Sequence, residues 1–217
     1  MKKYLIPISL GWVLVVCSWA WPSKKQTPPL SQEGGQVKSV QSVDKGFSST
    51  EIYQIASWNI KRYENLKFKP YRCEAGILTI GWGFNMKATG IKSINSANDA
   101  DEKFRKIFTP IKERVDRDYS DLTPLQRVAV ISLVYNTGSF ELVEKSTFVK
   151  ELRRGNIKKA RRSFLSWNKV RNGKRHVVSR GLTARRNFEA KYLDESFSKQ
   201  DYNQLKNEVA KIYLANK

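Results

Sequence analysis

The pattern of apolar and polar residues predicts that ordered structure begins at Phe47. Ser48 followed by Glu51 is the spacing of a helix N-terminal capping box, and Phe47 can pack onto Ile52. Apolar residues then recur at helical spacing, at Ile52, Ile55, Ala56, Ile60 and Tyr63. The pattern therefore predicts a helix that ends near Glu64.

The segment from Lys67 to Gly83 has the pattern of a small β-sheet. β-Branched and aromatic residues predominate, and they are interrupted by Pro70, Gly76, Gly81 and Gly83. We expect a tight hairpin sheet directly after the first helix.

From Ser96 onward the pattern is helical. Ser96 is the expected N-cap of a helix through Phe108, and Thr123-Pro124-Leu125-Gln126 supplies a cap, a proline at the first helical position and a capping-box glutamine. The helix that follows is apolar on nearly every side, so it should be central, and it should end at Asn136-Thr137-Gly138. Three further helices are predicted, at 146–154, 156–167 and 199–214. The predicted fold class is α+β, mostly helical, with one small sheet near the start of the domain.

The first 21 residues, MKKYLIPISLGWVLVVCSWAW, place two lysines before an apolar run from Tyr4 to Trp21. This order is typical of an export signal. Ser18 and Ala20 allow cleavage after Ala20, whereas a run of eighteen residues is also just long enough to span a bilayer as a retained anchor. We expect an export signal or signal-anchor that carries the rest of the chain across the inner membrane.

Residues 22–46 are rich in Pro, Ser, Gln and Gly and poor in large apolar side chains. Such a segment cannot bury enough apolar surface to fold, so we expect a flexible linker. The predicted organisation is an export segment at 1–21, the linker at 22–46, a folded domain at 47–195 and a C-terminal helical extension at 196–217.

The charge of the chain indicates its kind of partner. Forty Lys and Arg stand against twenty Asp and Glu, a formal net charge of +20, and the stretch from Leu152 to Phe188 has thirteen basic residues and no acidic one. Such a surface favours polyanions: nucleic acid, acidic lipid or an anionic cell envelope. An export signal argues against nucleic acid, and no nucleic-acid recognition motif is present. For individual basic residues, a solvated surface is the alternative.

Two cysteines and one histidine exclude several kinds of site. No CxxC and no paired Cys/His spacing is present, which argues against zinc. Any Ser-His-Asp or Cys-His system would depend on His176, which lies in the basic, loop-like stretch RNGKRHVVSR with nothing nearby to orient its ring. We expect His176 on the surface, and neither a metal nor a cofactor.

Glu64, Cys73 and Thr79 follow one another at spacings of nine and six residues in the stretch YENLKFKPYRCEAGILTIGWG. This stretch resembles the phage-type lysozymes, the muramidase endolysins of glycoside hydrolase family 24. In that family a glutamate at a helix end is followed by an aspartate or cysteine, and then by a threonine, at these spacings. The resemblance continues in order over about residues 47 to 195, through Gln126, Tyr135-Asn136-Thr137-Gly138, Ser146-Thr147, Trp167, Gly181-Leu182, Arg185-Arg186 and Glu189.

The resemblance implies a role for each catalytic candidate. Glu64 would be the general acid that protonates the leaving oxygen, as glycoside cleavage requires. Cys73 would position the attacking water or support the positive charge that develops on the sugar, and Thr79 would hold a water through its hydroxyl. From the residues alone, a surface glutamate, a buried apolar cysteine and a strand-forming threonine remain alternatives.

The resemblance also implies the residues of the glycan cleft. Tyr135, Asn136 and Thr147 would line it, although Tyr135 would suit the core equally well. Arg185 or Arg186 would pair with the catalytic glutamate and orient it, or would contact anionic groups of the substrate.

Two positions depart from the family pattern. Asn65 stands where glycine usually follows the glutamate, and asparagine tolerates left-handed backbone better than most residues. Phe84 stands where histidine usually follows the GxG turn, so a polar contact that places the hairpin is lost.

The expected function is hydrolysis of the β-1,4 bond between N-acetylmuramic acid and N-acetylglucosamine in peptidoglycan, by a periplasmic or secreted monomer. Glycan strands and the anionic envelope are the expected partners, and the membrane is contacted only through the N-terminal segment. A phage endolysin and a bacterial wall-remodelling enzyme both fit. The alternative is an anchored, non-catalytic wall- or polyanion-binding protein with a lapsed site, against which the retention of Glu64 and Thr79 argues.

The two cysteines allow a further expectation by resemblance to exported endolysins that keep their signal-anchor. Cleavage after Ala20 would remove Cys17 and leave Cys73 as a free thiol. Retention of the segment would allow a Cys17–Cys73 disulfide that blocks the site.

Overall fold

The computed structural model describes residues 46–172 and 175–216. Its helices are α1 (Ser49–Glu64), α2 (Met86–Thr89), α3 (Ala97–Asp118), α4 (Pro124–Thr137), α5 (Phe140–Glu144), α6 (Thr147–Arg153), α7 (Ile157–Leu165), α8 (Arg180–Glu189) and α9 (Lys199–Leu214). One antiparallel sheet consists of β1 (Lys67–Arg72), β2 (Leu78–Gly81) and β3 (Phe84–Asn85), and a separate hairpin consists of β4 (Lys169–Asn172) and β5 (Arg175–Val178). The predicted α+β class is confirmed.

The capping box predicted from the sequence fixes the start of α1. The Ser48 hydroxyl accepts a hydrogen bond from the Glu51 N–H at 3.2 Å, and the Glu51 carboxylate accepts one from the Ser48 N–H at 2.8 Å. Phe47, just before the cap, is buried. Since α1 ends at Glu64 as predicted, the helix presents the glutamate side chain at its C-terminal end.

The end of α1 carries backbone strain at Asn65. This residue adopts φ 56° and ψ 160°, a region that is occupied almost only by glycine. The Leu66 N–H donates to the Asn65 Oδ1 at 2.8 Å and holds the turn. The sequence had indicated left-handed backbone at Asn65; φ is positive, but ψ of 160° lies outside the left-handed helical region.

We expect Asn65→Gly to raise the free energy of unfolding by about 1 kcal/mol, because glycine adopts this conformation without the strain. A urea titration against the parent measures the change. Asn65→Ala is the control: it keeps the strained backbone, removes the bond to Leu66 and should lower stability. A lower stability for Asn65→Gly would mean that the side-chain bond outweighs the strain.

The first sheet lies between α1 and α2 along the chain and places Thr79 in its middle strand. Thr79 pairs with Tyr71 of β1 on one side and with Asn85 of β3 on the other. The strands alternate with tight turns at the glycines that the sequence singled out. The predicted hairpin sheet is therefore present.

Helix α4 is the central helix, as its sequence predicted. It begins with the Thr123–Gln126 capping box and ends at Gly138, whose φ of 68° terminates the helix. Eleven of its fourteen residues are buried. Helix α4 packs on both α1, the helix that ends at Glu64, and α3.

Two local predictions were wrong. The helix after Ser96 was expected to end at Phe108, but α3 continues through Pro110 to Asp118, because Ile111 and Val115 extend its apolar face into the core. A proline in the interior removes one backbone donor without ending this helix.

The stretch around His176 was expected to be loop-like, but it forms the β4–β5 hairpin, in which His176 pairs with Arg171. Its predicted exposure is confirmed.

The last helix, α9, has the bounds that the sequence predicted. Ser198 and Asp201 form its capping box, and α9 packs on α1. Phe197, directly before the cap, is 1% exposed and belongs to the same core as the rest of the described domain. The division of the chain after residue 195 stays a prediction.

In residues 46–172 and 175–216, no helix is both long and apolar enough to cross a membrane. The export segment at 1–21, the linker at 22–46 and Cys17 lie outside the described residues.

Candidate active site

The Glu64 carboxylate is hydrogen-bonded to a buried arginine, Arg185. Its Oε1 accepts a hydrogen bond from Arg185 Nη1 at 2.7 Å. The Glu64 side chain is 19% exposed, whereas that of Arg185 is 3% exposed. A buried cation thus orients a carboxylate that remains accessible from one side.

The backbone of the β2–β3 turn lies directly against Glu64. Gly83 has φ +78°, and a Cβ built on it would lie 2.3 Å from Glu64 Oε2 and 2.7 Å from Cδ. Such distances are far below van der Waals contact, so only glycine allows this approach. The preceding carbonyl, of Trp82, accepts a hydrogen bond from Tyr135 OH at 2.7 Å, which fixes the turn to α4.

The guanidinium of Arg185 uses all three of its nitrogens. Besides the bond to Glu64, Nε donates to Glu189 Oε1 at 2.9 Å and Nη2 donates to Ser132 Oγ at 3.0 Å. The bonds to Glu189 of α8 and Ser132 of α4 fix the position of the planar guanidinium group. The position of the Arg185 Nη1 donor relative to Glu64 is therefore also fixed.

The Glu189 carboxylate is the centre of the network beneath Glu64. It is fully buried and accepts hydrogen bonds from Asn59 Nδ2 at 2.7 Å, from Arg186 Nη1 at 2.6 Å and from the Ser132 hydroxyl. Arg186 Nη2 in turn donates to Asn136 Oδ1 at 2.7 Å. One buried carboxylate thus compensates two buried arginines, together with Glu64.

Burial and the opposite charges work against each other in this network. For Glu189, burial would raise the pKa, but Arg186 and Arg185 hold the pKa below its ordinary value. For Arg185, burial would lower the pKa, but Glu189 and Glu64 raise it above its ordinary value. For Arg186, burial prevails and lowers the pKa to about 10. At neutral pH all three groups are therefore charged.

Cys73 and Thr79 lie on the hairpin side of the site. Thr79 is 5% exposed, and its hydroxyl donates to the Ile77 carbonyl at 2.9 Å. Cys73 is a half-buried free thiol in the turn between β1 and β2, where its N–H donates to the Ile77 carbonyl at 3.0 Å and its carbonyl accepts from the Gly76 N–H at 2.8 Å. Because it is only half-buried, Cys73 is not part of the apolar core.

The N-terminal end of α8 faces the turn that carries Cys73. A Cβ built on Gly181 would lie 3.7 Å from Oε1 of Glu74, the residue after Cys73. The β1–β2 turn and α8 thus lie across from each other, and α8 supplies the arginine that holds Glu64. Glu64 is thus connected to α8 through Arg185, and the turn that carries Cys73 lies near the N-terminal end of the same helix.

The three residues predicted to line the glycan cleft have different placements. Tyr135 is 6% exposed and packs on Phe104 with ring centroids 5.7 Å apart, so it serves the core. Burial, with a further contribution from Glu64, raises its pKa well above the ordinary value. Asn136 is half-buried and bonded to Arg186, and Thr147 is exposed at the first residue of α6.

Arg185 or Arg186 was expected to pair with Glu64 and orient it, or to contact anionic groups of the substrate. Arg185 does pair with Glu64, but Arg186 is 0% exposed and reaches Glu189 and Asn136 instead. Their buried guanidinium groups are placed to position other side chains.

Two residues of the site were not predicted from the sequence: Asn59 and Ser132. Asn59 is completely buried on α1, and Ser132 is completely buried on α4. A polar residue inside an otherwise apolar helical face was the available signal, because a buried polar group needs a partner.

The described part of the chain contains no group of three or more His, Cys, Asp and Glu side chains that could hold a metal ion. A cavity of about 520 Å³ lies between α2 and α3, lined by Ala88, Thr89, Ile91, Lys103, Lys106, Ile107 and Pro110. None of the catalytic candidates borders it.

The sequence model of the Phage lysozyme family matches residues 61–189, a span that begins just before Glu64 and ends at Glu189. The chain belongs to the phage lysozyme family. It is accordingly a lysozyme-type enzyme that hydrolyses peptidoglycan, as the sequence predicted.

Individual relatives agree with membership in the phage lysozyme family. The endolysin of Acyrthosiphon pisum secondary endosymbiont phage 1 is 34% identical over 139 residues, which is 63% of this chain and 92% of that protein. The SAR-endolysin of Escherichia phage Mu is 31% identical over 110 residues, which is 48% of this chain and 60% of that protein.

Solved structures of similar fold include two phage endolysins and a muramidase domain. The endolysin from Escherichia coli O157:H7 phage FAHEc1 has a TM-score of 0.55 at 26% identity and covers 66% of this chain and 93% of its own. The muramidase domain of SpmX from Asticaccaulis excentricus has a TM-score of 0.52 at 23% identity, covering 67% and 95%. The active form of P1 phage endolysin Lyz has a TM-score of 0.51 at 20% identity, covering 66% and 84%. The last two likenesses concern the fold alone.

Proposed function

We propose that this lysozyme-type enzyme cleaves the β-1,4 bond between N-acetylmuramic acid and N-acetylglucosamine, with Glu64 as the general acid. The observation that carries the proposal is the Glu64 carboxylate: it is accessible on one side, bonded to Arg185 on another and enclosed by the Gly83 backbone. Such fixed geometry is what proton delivery to one glycosidic oxygen requires.

In the proposed mechanism, protonated Glu64 donates its proton to the leaving oxygen while the sugar acquires positive charge. Arg185 keeps the carboxyl group in place before and after the transfer. Cys73 and Thr79, on the hairpin, position the water that attacks the sugar. Asn136 and Thr147 are proposed to contact the glycan further along.

Digestion of purified peptidoglycan with analysis of the released ends tests the proposal. New reducing N-acetylmuramic acid ends are the expected product. Reducing N-acetylglucosamine ends would assign the cleavage to the other glycosidic bond. Binding to the wall without any new ends would favour a non-catalytic wall-binding protein, the alternative that the sequence left open.

We further propose that the enzyme is exported across the inner membrane and acts in the periplasm or outside the cell. The charged and apolar order of residues 1–21 supports this, as does the similarity to a protein named SAR-endolysin. Cleavage of the segment, its retention as a tether, a Cys17–Cys73 disulfide and a monomeric state all stay predictions.

Cys73→Asp should retain or increase the hydrolysis rate, because a carboxylate carries a permanent charge that supports the sugar cation more strongly than a thiol. Cys73→Ala should lower kcat by about 10-fold or more, since it removes the group that positions the water. Steady-state rates on peptidoglycan, with melting temperatures measured in parallel, distinguish the two. An alanine variant as fast as the parent would make Cys73 a packing residue.

The basic stretch from Leu152 to Phe188 is proposed to attract the anionic wall through its exposed side chains. Arg153 and Arg154 are less suited to this than the sequence suggested, because they pair with Asp121 at 3.3 Å and with Glu151 at 2.8 Å. Lys158 and Lys159 on α7 are exposed, and so is Arg162.

Changing Lys158, Lys159 and Arg162 to glutamine should weaken binding to cell walls and flatten its salt dependence, because exposed charges attract through screened Coulomb forces. Sedimentation with purified walls over a salt titration measures this. The matched control neutralises three exposed lysines elsewhere, Lys92, Lys206 and Lys211. If the two triple variants lose the same amount of wall binding, the effect comes from net charge alone and not from the position of these residues.

A further inference from the structure

Four elements meet at the carboxylate of Asp101, behind the catalytic turn. Its Oδ1 accepts hydrogen bonds from Lys61 Nζ and from Trp82 Nε1, both at 2.8 Å, and its Oδ2 accepts one from Tyr213 OH at 2.6 Å. Lys61 belongs to α1, Trp82 to the turn between β2 and β3, Asp101 to α3, and Tyr213 to the last turn of α9. One carboxylate therefore joins the C-terminal helix to the catalytic turn.

The hydroxyl of Tyr213 completes this cluster. It accepts a hydrogen bond from Lys61 Nζ at 2.7 Å while it donates to Asp101. Burial, followed by the contacts with Asp101, raises the pKa of Tyr213, so the hydroxyl remains a proton donor. Burial likewise lowers the pKa of Lys61, against the opposing effect of Asp101. An ammonium this deep needs its polar partners, of which the hydroxyl is one.

Aromatic rings enclose the same ammonium. Lys61 Nζ lies 5.2, 4.9 and 5.4 Å from the ring centroids of Trp82, Phe104 and Tyr213. The rings of Trp82 and Tyr213 also contact each other, with centroids 5.5 Å apart. The indole of Trp82 is thus held on its N–H by Asp101 and on its ring by Tyr213.

The cluster reaches both neighbours of the catalytic carboxylate. Trp82 directly precedes Gly83, whose backbone leaves no room for even a Cβ beside Glu64. Lys61 lies about one turn before Glu64 on α1. A small displacement of the Trp82 indole would therefore change the contact between the turn and Glu64.

We propose that Tyr213 is a positioning residue for Glu64. By holding Asp101 and Lys61, and through them the Trp82 indole, the last turn of α9 keeps the Gly83 backbone seated on the catalytic carboxylate. The inference rests on the proposed role of Glu64 as general acid. It goes beyond family membership, because α9 lies outside residues 61–189, which the family model matches.

The test compares two tyrosines of the same helix. Tyr213→Phe keeps the ring and removes both hydrogen bonds of the hydroxyl. Tyr202→Phe is the matched control: its hydroxyl donates to Gln54 Oε1 at 2.6 Å, and its ring packs on Phe47 and Trp58. Each change removes a tyrosine hydroxyl that anchors α9, but only the first removes a bond to the cluster at Trp82.

We expect Tyr213→Phe to lower kcat on peptidoglycan by about 10-fold with KM changed by less than about 2-fold, because a misplaced catalytic group slows the chemical step. Tyr202→Phe should lower the melting temperature by a similar amount and leave kcat at the parent value. Equal kcat values in the two variants, or a kcat loss in both that follows the melting temperature, would overturn the proposal.

Hydrogen exchange provides a readout that does not depend on activity. Amides of residues 81–84 should exchange faster in Tyr213→Phe than in the parent, and at the parent rate in Tyr202→Phe. Unchanged exchange in Tyr213→Phe would refute the positioning role. A parent protein without hydrolytic activity would instead refute the proposed function, and hydrogen exchange would still decide whether Tyr213 holds the turn.

Discussion

Replacing Glu64 by glutamine is expected to lower kcat on peptidoglycan by about 10³-fold, because an amide cannot deliver a proton to the leaving oxygen. The fold should be retained. Glutamine has nearly the same shape, its carbonyl oxygen can still accept the bond from Arg185 Nη1, and Gly83 leaves room for the same side-chain position. Release of reducing ends measures the rate, and thermal unfolding measures the fold.

The control is Glu102→Gln, which makes the same chemical change at an exposed carboxylate of α3. It should leave both the rate and the melting temperature unchanged. Substantial residual hydrolysis by a folded Glu64→Gln protein would remove Glu64 as the acid. In that case its bond to Arg185 would be a structural ion pair at the cleft.

Local rules predicted the elements that begin or end with a strong signal. The capping boxes at Ser48 and Thr123 fix the starts of α1 and α4, and Gly138 ends α4 with a positive φ. These signals act within one helical turn, so the residues that carry them are adjacent in sequence. The end of α1 near Glu64 followed from the helical spacing of its apolar residues.

Local sequence signals gave wrong predictions where tertiary packing determines the extent or type of an element. The helix after Ser96 was expected to end at Phe108, yet the burial of Ile111 and Val115 carries α3 through Pro110 to Asp118. The stretch around His176 has few apolar residues, and cross-strand pairing rather than burial defines its β-hairpin. Neither outcome can be calculated from neighbours in the sequence alone.

The hydrogen-bond network around Glu189 could not be predicted from the sequence pattern for a different reason. Asn59 bonds to Ser132 and to Glu189, partners 73 and 130 residues away along the chain. The resemblance had marked Arg185, Arg186 and Glu189 as members of a family block, but it did not separate residues that contact substrate from residues that hold others. Only the three-dimensional arrangement shows that both arginines are buried.

Glu189→Gln should lower the free energy of unfolding by about 3–5 kcal/mol, because it leaves buried arginine charge uncompensated. Glu189 is completely buried and bonds to both Arg185 and Arg186. Activity should fall as well, since Arg185 would no longer be fixed in front of Glu64. Urea titration gives the stability, and the rate should be measured well below the unfolding midpoint.

A second substitution separates charge from packing. Arg186 is 0% exposed, and its Nε has no hydrogen-bond partner in the structure. Arg186→Met in the Glu189→Gln background removes the excess positive charge and should recover part of the lost stability, because an apolar side chain of similar length tolerates burial. A double variant less stable than Glu189→Gln alone would mean that Arg186 stabilises the domain mainly through its bond to Asn136 and its packing on Phe164, 5.3 Å from the ring centroid. The uncompensated charge of Arg186 would then account for the smaller part of the stability lost in Glu189→Gln. In that case Glu189 would influence Glu64 only through Arg185, which bonds to both.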